Sequence, residues 1–213
     1  MSRDIGLLGG TFNPVHRGHV DLGIRAQKTF RLDRILYVLS AHPPHKSRKN
    51  VADAEARLEM LRAALAPYPQ FWASDIEMHR QGRSYSIDTV ERLQRRYPRD
   101  RFFFISGSEG FLDIPTWKEW RRLLQTIVFI VVLRKAGHLD GLRSLLRAEG
   151  VPMRMYPLRF HDPPGVNVLV YDSETLPFSS TRIRRWRRGG PEAVEMLDPC
   201  VENVMEEKGL YGE

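Results

Sequence analysis

Short apolar runs alternate with segments of helical spacing along almost the whole chain, and this alternation restricts the fold more than any other feature. Ile5–Leu8 is an apolar run stopped by Gly9 and Gly10, which predicts a buried strand. Gly18–Phe30 carries helical spacing with Val20 and Ile24 inward, and Arg34–Leu39 predicts a second strand. Ala41–Asp53 is polar, contains Pro43-Pro44 and predicts an exposed loop. Ala54–Ala66 predicts a helix ended by Pro67, Phe71–Ala73 a short strand, and Ser86–Tyr97 a helix stopped before Pro98. Strands over Arg101–Ile105 and Ile127–Leu133, with a helix over Trp117–Leu124 between them, continue the pattern. A helix over Leu139–Ala148, a late strand over Val166–Tyr171 and a helical C-terminal segment opening at Ser179–Arg188 complete it. The expected fold is α/β: a doubly wound parallel sheet with helices on both faces. Ligands of such sheets sit beyond the carboxyl ends of the strands, where the winding reverses. No repeat or linker splits the 213 residues, so one domain over 1–213 is expected, its helical C-terminal segment running from about 179 to 213.

Charge and cysteine content restrict the setting. The net charge is +7, with arginines clustered at Arg182, Arg184, Arg185, Arg187 and Arg188 and again at Arg92, Arg95, Arg96, Arg99 and Arg101. Such a balance attracts phosphates, as nucleic acid or as small nucleotides; a solvated helix face is the plainer account of the second cluster. Cys200 is the one cysteine, so neither an internal disulfide nor a thiolate metal cluster can form. The opening MSRDIGLLGG has no signal-peptide core, and Ile127–Leu133 is too short to cross a bilayer. The expectation is a soluble, cytoplasmic protein with no membrane partner, and a homo-oligomer is compatible with it.

The stretch GGTFNPVHRGHV, residues 9–20, stands where α/β folds handle phosphates, between the first strand and the first helix. It has no Walker lysine and no dinucleotide glycine spacing. Gly9 and Gly10 let backbone approach a ligand, and Pro14 stiffens the loop. The helix that follows presents unpaired N–H groups and partial positive charge. His16 and His19 lie one turn apart on the same side, each able to donate to a phosphoryl oxygen. His16, His19, His42 and His45 could alternatively ligate zinc, but two H-x-x-H pairs on loops, with neither cysteine nor an HExxH context, argue against a protein-held metal.

Several stretches resemble known motifs. GGTFNPVHRGH resembles the (T/H)xGH loop that holds triphosphate in the nucleotidyltransferase superfamily, and PFSSTRIRRW, residues 177–186, resembles its ISSTxIR motif. RKAG, residues 134–137, resembles its Arg-x-x-Gly, with Ala136 where proline is commoner. HPPHK at 42–46, RSYSIDTV at 83–90 and GSEGFLDIPTWKEW at 107–120 resemble motifs of bacterial nicotinate-mononucleotide adenylyltransferases, and the likeness runs over nearly the entire chain. This resemblance implies a Rossmann-like sheet and a role for named residues. ATP would meet Gly9, Gly10, Thr11, Phe12, His16, Gly18, His19, Arg134, Ser179, Ser180, Thr181, Ile183 and Arg184. The mononucleotide would meet Lys46, Tyr85, Ser86, Asp88, Glu109 and Trp117. His16, His19, Lys46 and Arg184 would act on the reacting phosphates. Two positions depart from the pattern: Glu109 and Asn13 stand where the family more often has aspartate.

The resemblance implies adenylyl transfer from ATP to nicotinate mononucleotide, giving nicotinate adenine dinucleotide and pyrophosphate, a step of NAD biosynthesis. The attacking phosphate is already largely dianionic at neutral pH, so no enzymic base is required. Catalysis then reduces to alignment and charge neutralisation. Magnesium would be held mainly by ATP phosphates and water. Nicotinamide mononucleotide or pantetheine phosphate as acceptor, cytidylyl transfer, and a nucleic-acid-binding module are the alternatives. The last leaves the GGTFNPVHRGH loop unexplained, so no nucleic acid is expected.

Overall fold

The structure, a computed structural model, describes residues 2–43, 51–133, 135, 137–156, 167–173, 176, 178–190 and 193–212. In chain order it forms β1 (Asp4–Gly10), α1 (Arg17–Phe30), β2 (Arg34–Leu39), α2 (Ala54–Leu65), β3 (Phe71–Ser74), α3 (Ser86–Arg96) and β4 (Arg101–Gly107). There follow α4 (Ser108–Leu112), α5 (Trp120–Thr126), β5 (Val128–Leu133), α6 (His138–Ala148), β6 (Met153–Met155), β7 (Val168–Asp172), α7 (Ser180–Trp186) and α8 (Pro199–Glu207). The seven strands make one sheet in the order β3-β2-β1-β4-β5-β7-β6, every pair parallel. The winding reverses between β1 and β4, so their carboxyl ends mark the crevice for a ligand.

Side-chain alternation along the strands builds two cores. Leu8, Ile35, Tyr37 and Leu39 pack beneath α1, α2, α7 and α8. Ile5, Leu7, Phe104 and Phe129 pack beneath α3, α4, α5 and α6. Each face thus buries apolar area worth about 25 cal/mol per Å² removed from water. One contact sets the position of α1. A Cβ on Gly23 would lie 2.0 Å from the Tyr37 hydroxyl oxygen, so glycine is required for the close approach. The Tyr37 hydroxyl reaches the carbonyls of His19 and Val20 at 3.3 and 3.4 Å, tying the first turn of α1 to β2.

Four expectations change. β1 runs through both glycines, because the ladder to β2 uses backbone and continues to Gly10 opposite Leu39. The helix expected from Trp117 starts at Trp120: Ile114–Thr116 is a short 3-10 turn, Trp117 is extended, and Glu119 is left-handed at φ 49°. α4 and β6 were not expected; the first is five residues long and the second three, too short for a periodicity to show. Among the described residues no helix is long and apolar enough to cross a membrane.

Candidate active site

The loop after β1 is held by side chains that point at backbone. Phe12 takes a left-handed conformation, φ 46°, and its ring covers Gly10, where a Cβ would lie 2.8 Å away. Asn13 is buried; its Oδ1 accepts from the Ala52 N–H at 3.0 Å and the Tyr211 hydroxyl at 2.7 Å. His16 is the N-cap of α1, buried, and its backbone N–H donates to His19 Nδ1 at 3.2 Å. That bond places the proton of a neutral His19 ring on Nε2. The two imidazoles stack with centroids 3.7 Å apart, and Phe12 meets the His19 ring edge-on at 5.1 Å.

The C-terminal motif closes on this loop. Ser180 Oγ donates to the Pro14 carbonyl at 2.9 Å, and Arg184 Nη1 to the Asn13 carbonyl at 2.6 Å. A Cβ on Gly18 would stand 3.1 Å from His16 Nδ1 and 3.3 Å from Phe178 Cβ, so glycine lets the segment before α7 approach α1. The two motifs, distant in sequence, are therefore brought to one place. Arg184 also donates to Thr181 Oγ1 at 3.2 Å. Burial lowers the Arg184 pKa, as does Arg188, against Tyr211, yet an arginine stays charged near neutrality. Ser179 is the N-cap of α7, but its hydroxyl makes no cap bond. Ile183 does not face a ligand: its side chain is in the core and its N–H donates to the Ser179 carbonyl at 3.1 Å inside the helix. Arg182, Arg185 and Arg188 are exposed. Lys46 and Arg134 lie outside the described residues, as does His45.

A second set of residues faces this loop across a cavity of about 220 Å³, lined by Gly9, Gly10, Thr11, Tyr85, Ser86 and Trp117 among others. Tyr85 is the N-cap of α3, an eleven-residue helix whose first N–H groups have no partner within it. The Trp117 ring packs edge-on against Phe104 at 5.7 Å. A larger cavity, about 290 Å³, opens at the amino ends of the strands. The smaller one is the candidate active site, because parallel sheets bind at carboxyl ends and the motif residues line it. Asp88 and Glu109 are not among its walls. The Asp88 carboxylate meets Lys118 Nζ at 3.2 Å and Arg80 at 3.5 Å, and Glu109 pairs with Lys135 at 3.0 Å.

Three residues with a place in the site were missed by the sequence reading. Arg57 of α2, 1% exposed, donates to the carbonyls of Ala52, Thr11 and Ser40 at 2.8 Å and of Ala41 at 3.0 Å. One guanidinium thus ties the loop after β1 to the loop after β2; burial lowers its pKa against Tyr211 and Asp53. Glu77 is a buried carboxyl in the cavity wall, accepting from Thr89 Oγ1 at 2.5 Å. Burial raises its pKa, opposed by hydrogen bonds from Ser84 and Thr89. Lys118 also lines the cavity, its Nζ 4.9 Å from the centre of the Tyr85 ring. An arginine amid the apolar spacing of α2 was a readable signal; Glu77 and Lys118 offered none.

The family described as cytidylyltransferase-like matches residues 7–186. The chain belongs to the cytidylyltransferase-like family. Among curated relatives of this family, a "probable nicotinate-nucleotide adenylyltransferase" of Citrifermentans bemidjiense is 37% identical over 215 residues, spanning 97% of each protein. One of the same description from Thermus thermophilus is 38% identical over 207 residues, spanning 97% of this chain and 98% of the relative. A solved Plasmodium falciparum nicotinic acid mononucleotide adenylyltransferase complexed with NaAD shares the fold. It superposes at a TM-score of 0.74 with 17% identity, over 98% of this chain and 97% of that one. This member of the cytidylyltransferase-like family is accordingly a nucleotidyltransferase.

Proposed function

We propose that the chain, acting as one domain, transfers the adenylyl group of ATP to nicotinate mononucleotide and releases pyrophosphate. The observation that carries this is the convergence of Ser180 and Arg184 on the Asn13-Pro14 loop that leads into His16 and His19, beside a cavity walled by Tyr85, Ser86 and Trp117. Relatives over the full length bear that activity in their names.

In this reading the chain positions charge rather than moving protons. The acceptor phosphate is its own nucleophile, so the N–H on His19 Nε2 serves as a donor to the α-phosphoryl oxygens. His16 fixes His19 through its backbone N–H and the ring stack. Arg184 faces the leaving pyrophosphate with the guanidinium donors that Asn13 does not use. Lys46, Arg134 and Thr181 belong to the same triphosphate. The first N–H groups of α3, near Tyr85 and Ser86, favour the nicotinate carboxylate over a neutral amide, and Trp117 offers a face for the pyridine ring. Asp88 reaches this wall through Lys118, Glu109 pairs with Lys135, and the Ile183 side chain belongs to the core.

Imidazole, guanidinium and hydroxyl groups around the phosphate loop suit phosphate oxygens and provide no hard anionic ligand for a metal. Among the described residues no three histidine, cysteine, aspartate or glutamate side chains gather into a metal site. Magnesium in this reading travels with the triphosphate and, when bound, supplies charge neutralisation on the pyrophosphate.

The test is pyrophosphate release with ATP or CTP as donor and nicotinate mononucleotide, nicotinamide mononucleotide or pantetheine phosphate as acceptor. Turnover highest with ATP and nicotinate mononucleotide is expected. Preference for CTP or pantetheine phosphate would replace the proposal with its superfamily rivals.

A further inference from the structure

We propose that a second binding site, for a planar aromatic anion of nucleotide type, lies at the amino ends of the strands, on the same sheet face as the acceptor cavity. Parallel sheets ordinarily have both faces covered by helices. On this face α3 packs toward β4 and α5, while α2 lies on the other side of the sheet, so the start of β2 and β3 is only partly covered, with Leu36 and Ile76 at the margin of the core. The row that results is visible in the register: Leu36 stands opposite Trp72. Leu36 is half-buried, and Trp72 is 47% exposed. A cavity of about 290 Å³ forms there, near the lower end of the roughly 300–1,000 Å³ usual for small-ligand sites. Its walls come from the start of β1, β2 and β4, at Ile5, Arg34 and Phe102, and from β3 and the turn after it, at Trp72, Asp75 and Ile76, whereas the candidate active-site cavity uses the ends of β1 and β2, at Gly9 and Ser40.

The lining is chemically two-sided. Ile5, Leu36, Leu93 and Phe102 make an apolar floor suited to a ring. Around it stand arginines placed over aromatic rings. Arg34 lies over Trp72 at 3.8 Å from the ring centre, and Arg96 over Tyr97 at 5.7 Å. A stacked guanidinium is fixed in orientation and keeps its in-plane N–H fork for a phosphate or carboxylate. Arg92, half-buried and one turn before Arg96 on α3, has no side-chain hydrogen bond or ion pair with any other described residue. The two carboxylates of the lining pair within it: Asp100 with Arg3 at 2.6 Å, and Asp75 with His79 at 3.3 Å. With four arginines against two carboxylates, the lining carries a net positive charge, which draws in an anion. Inorganic phosphate alone would leave the floor uncovered, and a neutral ring would leave the arginines unanswered. A phosphorylated heteroaromatic compound answers both. This assigns a role to part of the second arginine cluster, which the adenylyl-transfer site does not use.

Two tryptophans make the test site-specific, because Trp72 lines this cavity and Trp117 the active site. The full chain, labelled with ¹⁵N at tryptophan, is titrated with AMP, and the indole N–H signals are assigned by Trp72→Phe and Trp117→Phe. The expected result is a Trp72 shift with its own saturation curve. In the Arg34→Ala/Arg92→Ala variant that curve should weaken by about tenfold or more, the scale of losing charge-assisted bonds, with the Trp117 response and the enzymic activity unchanged. The unchanged Trp117 response also certifies the fold; Arg92→Ala alone, which removes one half-buried side chain, is the milder second variant. The proposal is overturned if AMP moves only Trp117, or if the Trp72 curve survives in both variants. It is overturned equally if Trp72 shifts with protein concentration in the absence of AMP, which would make this face a contact between copies.

Discussion

On the proposed donor side of the cleft, side chains close on backbone; on the proposed acceptor side, side chains meet one another, in a buried Glu77–Thr89 bond and in a partly exposed ion pair. Arg57 satisfies four carbonyls, Asn13 takes an N–H, a hydroxyl and a guanidinium, and Tyr37 carries the first turn of α1. Opposite them, Trp117 leans on Phe104 and Lys118 bridges to Asp88 across a partly exposed ion pair. Exposed pairs of that kind are worth about 0–1 kcal/mol, whereas a buried acceptor left without a donor costs about 1–3 kcal/mol. In the proposed function, the half that takes the triphosphate is therefore held by contacts to backbone, and the half that takes the acceptor by contacts among side chains. A reacting phosphate needs a fixed set of donors, while the identity of the acceptor is set by what lines the far wall.

The largest effect that would sharpen this contrast is on the donor side. Arg57→Ala should destabilise the chain by about 3–5 kcal/mol, since it orphans buried carbonyls of two loops. Urea unfolding checks it, and a loss below about 1 kcal/mol would mean that Arg57 does not hold the loops. Next comes His19→Ala, for which kcat should fall on the order of tenfold to a thousandfold while the unfolding midpoint holds. Near-wild-type turnover would remove His19 from the chemistry.

The smallest effect concerns Glu77 on the acceptor side. Burial raises its folded pKa above the unfolded value of 4.5, so the folded protein keeps a proton that the unfolded chain has released. Stability from this group is then lost as pH rises from about that value through the folded pKa. Glu77→Gln cannot lose a proton, so its melting temperature relative to wild type should improve between pH 4 and pH 7. A difference that stays flat across that range would show that burial does not perturb this carboxyl.

Much of the fold was legible because helical spacing and apolar strands are local. Arg34–Leu39 was read to the residue, and α2 and α3 to within one residue at their ends. Pro115 and the left-handed Glu119 delay α5, which apolar spacing alone does not report. The phosphate loop was legible from its glycines and paired histidines. Its bracing was not: Arg57 and Tyr211 reach the loop through contacts between segments far apart in the chain. The arginine cluster at 182–188 read as one feature, but it separates into Arg184, turned onto the Asn13 carbonyl, and exposed neighbours.

The division of labour across the cleft is tested most directly by the two Michaelis constants of Trp117→Ala. The KM for nicotinate mononucleotide should rise by about tenfold, the scale of a lost ring stack and its burial, with the KM for ATP unchanged. Equal rises in both constants, or a rise for ATP alone, would contradict a cleft whose halves are built and used separately.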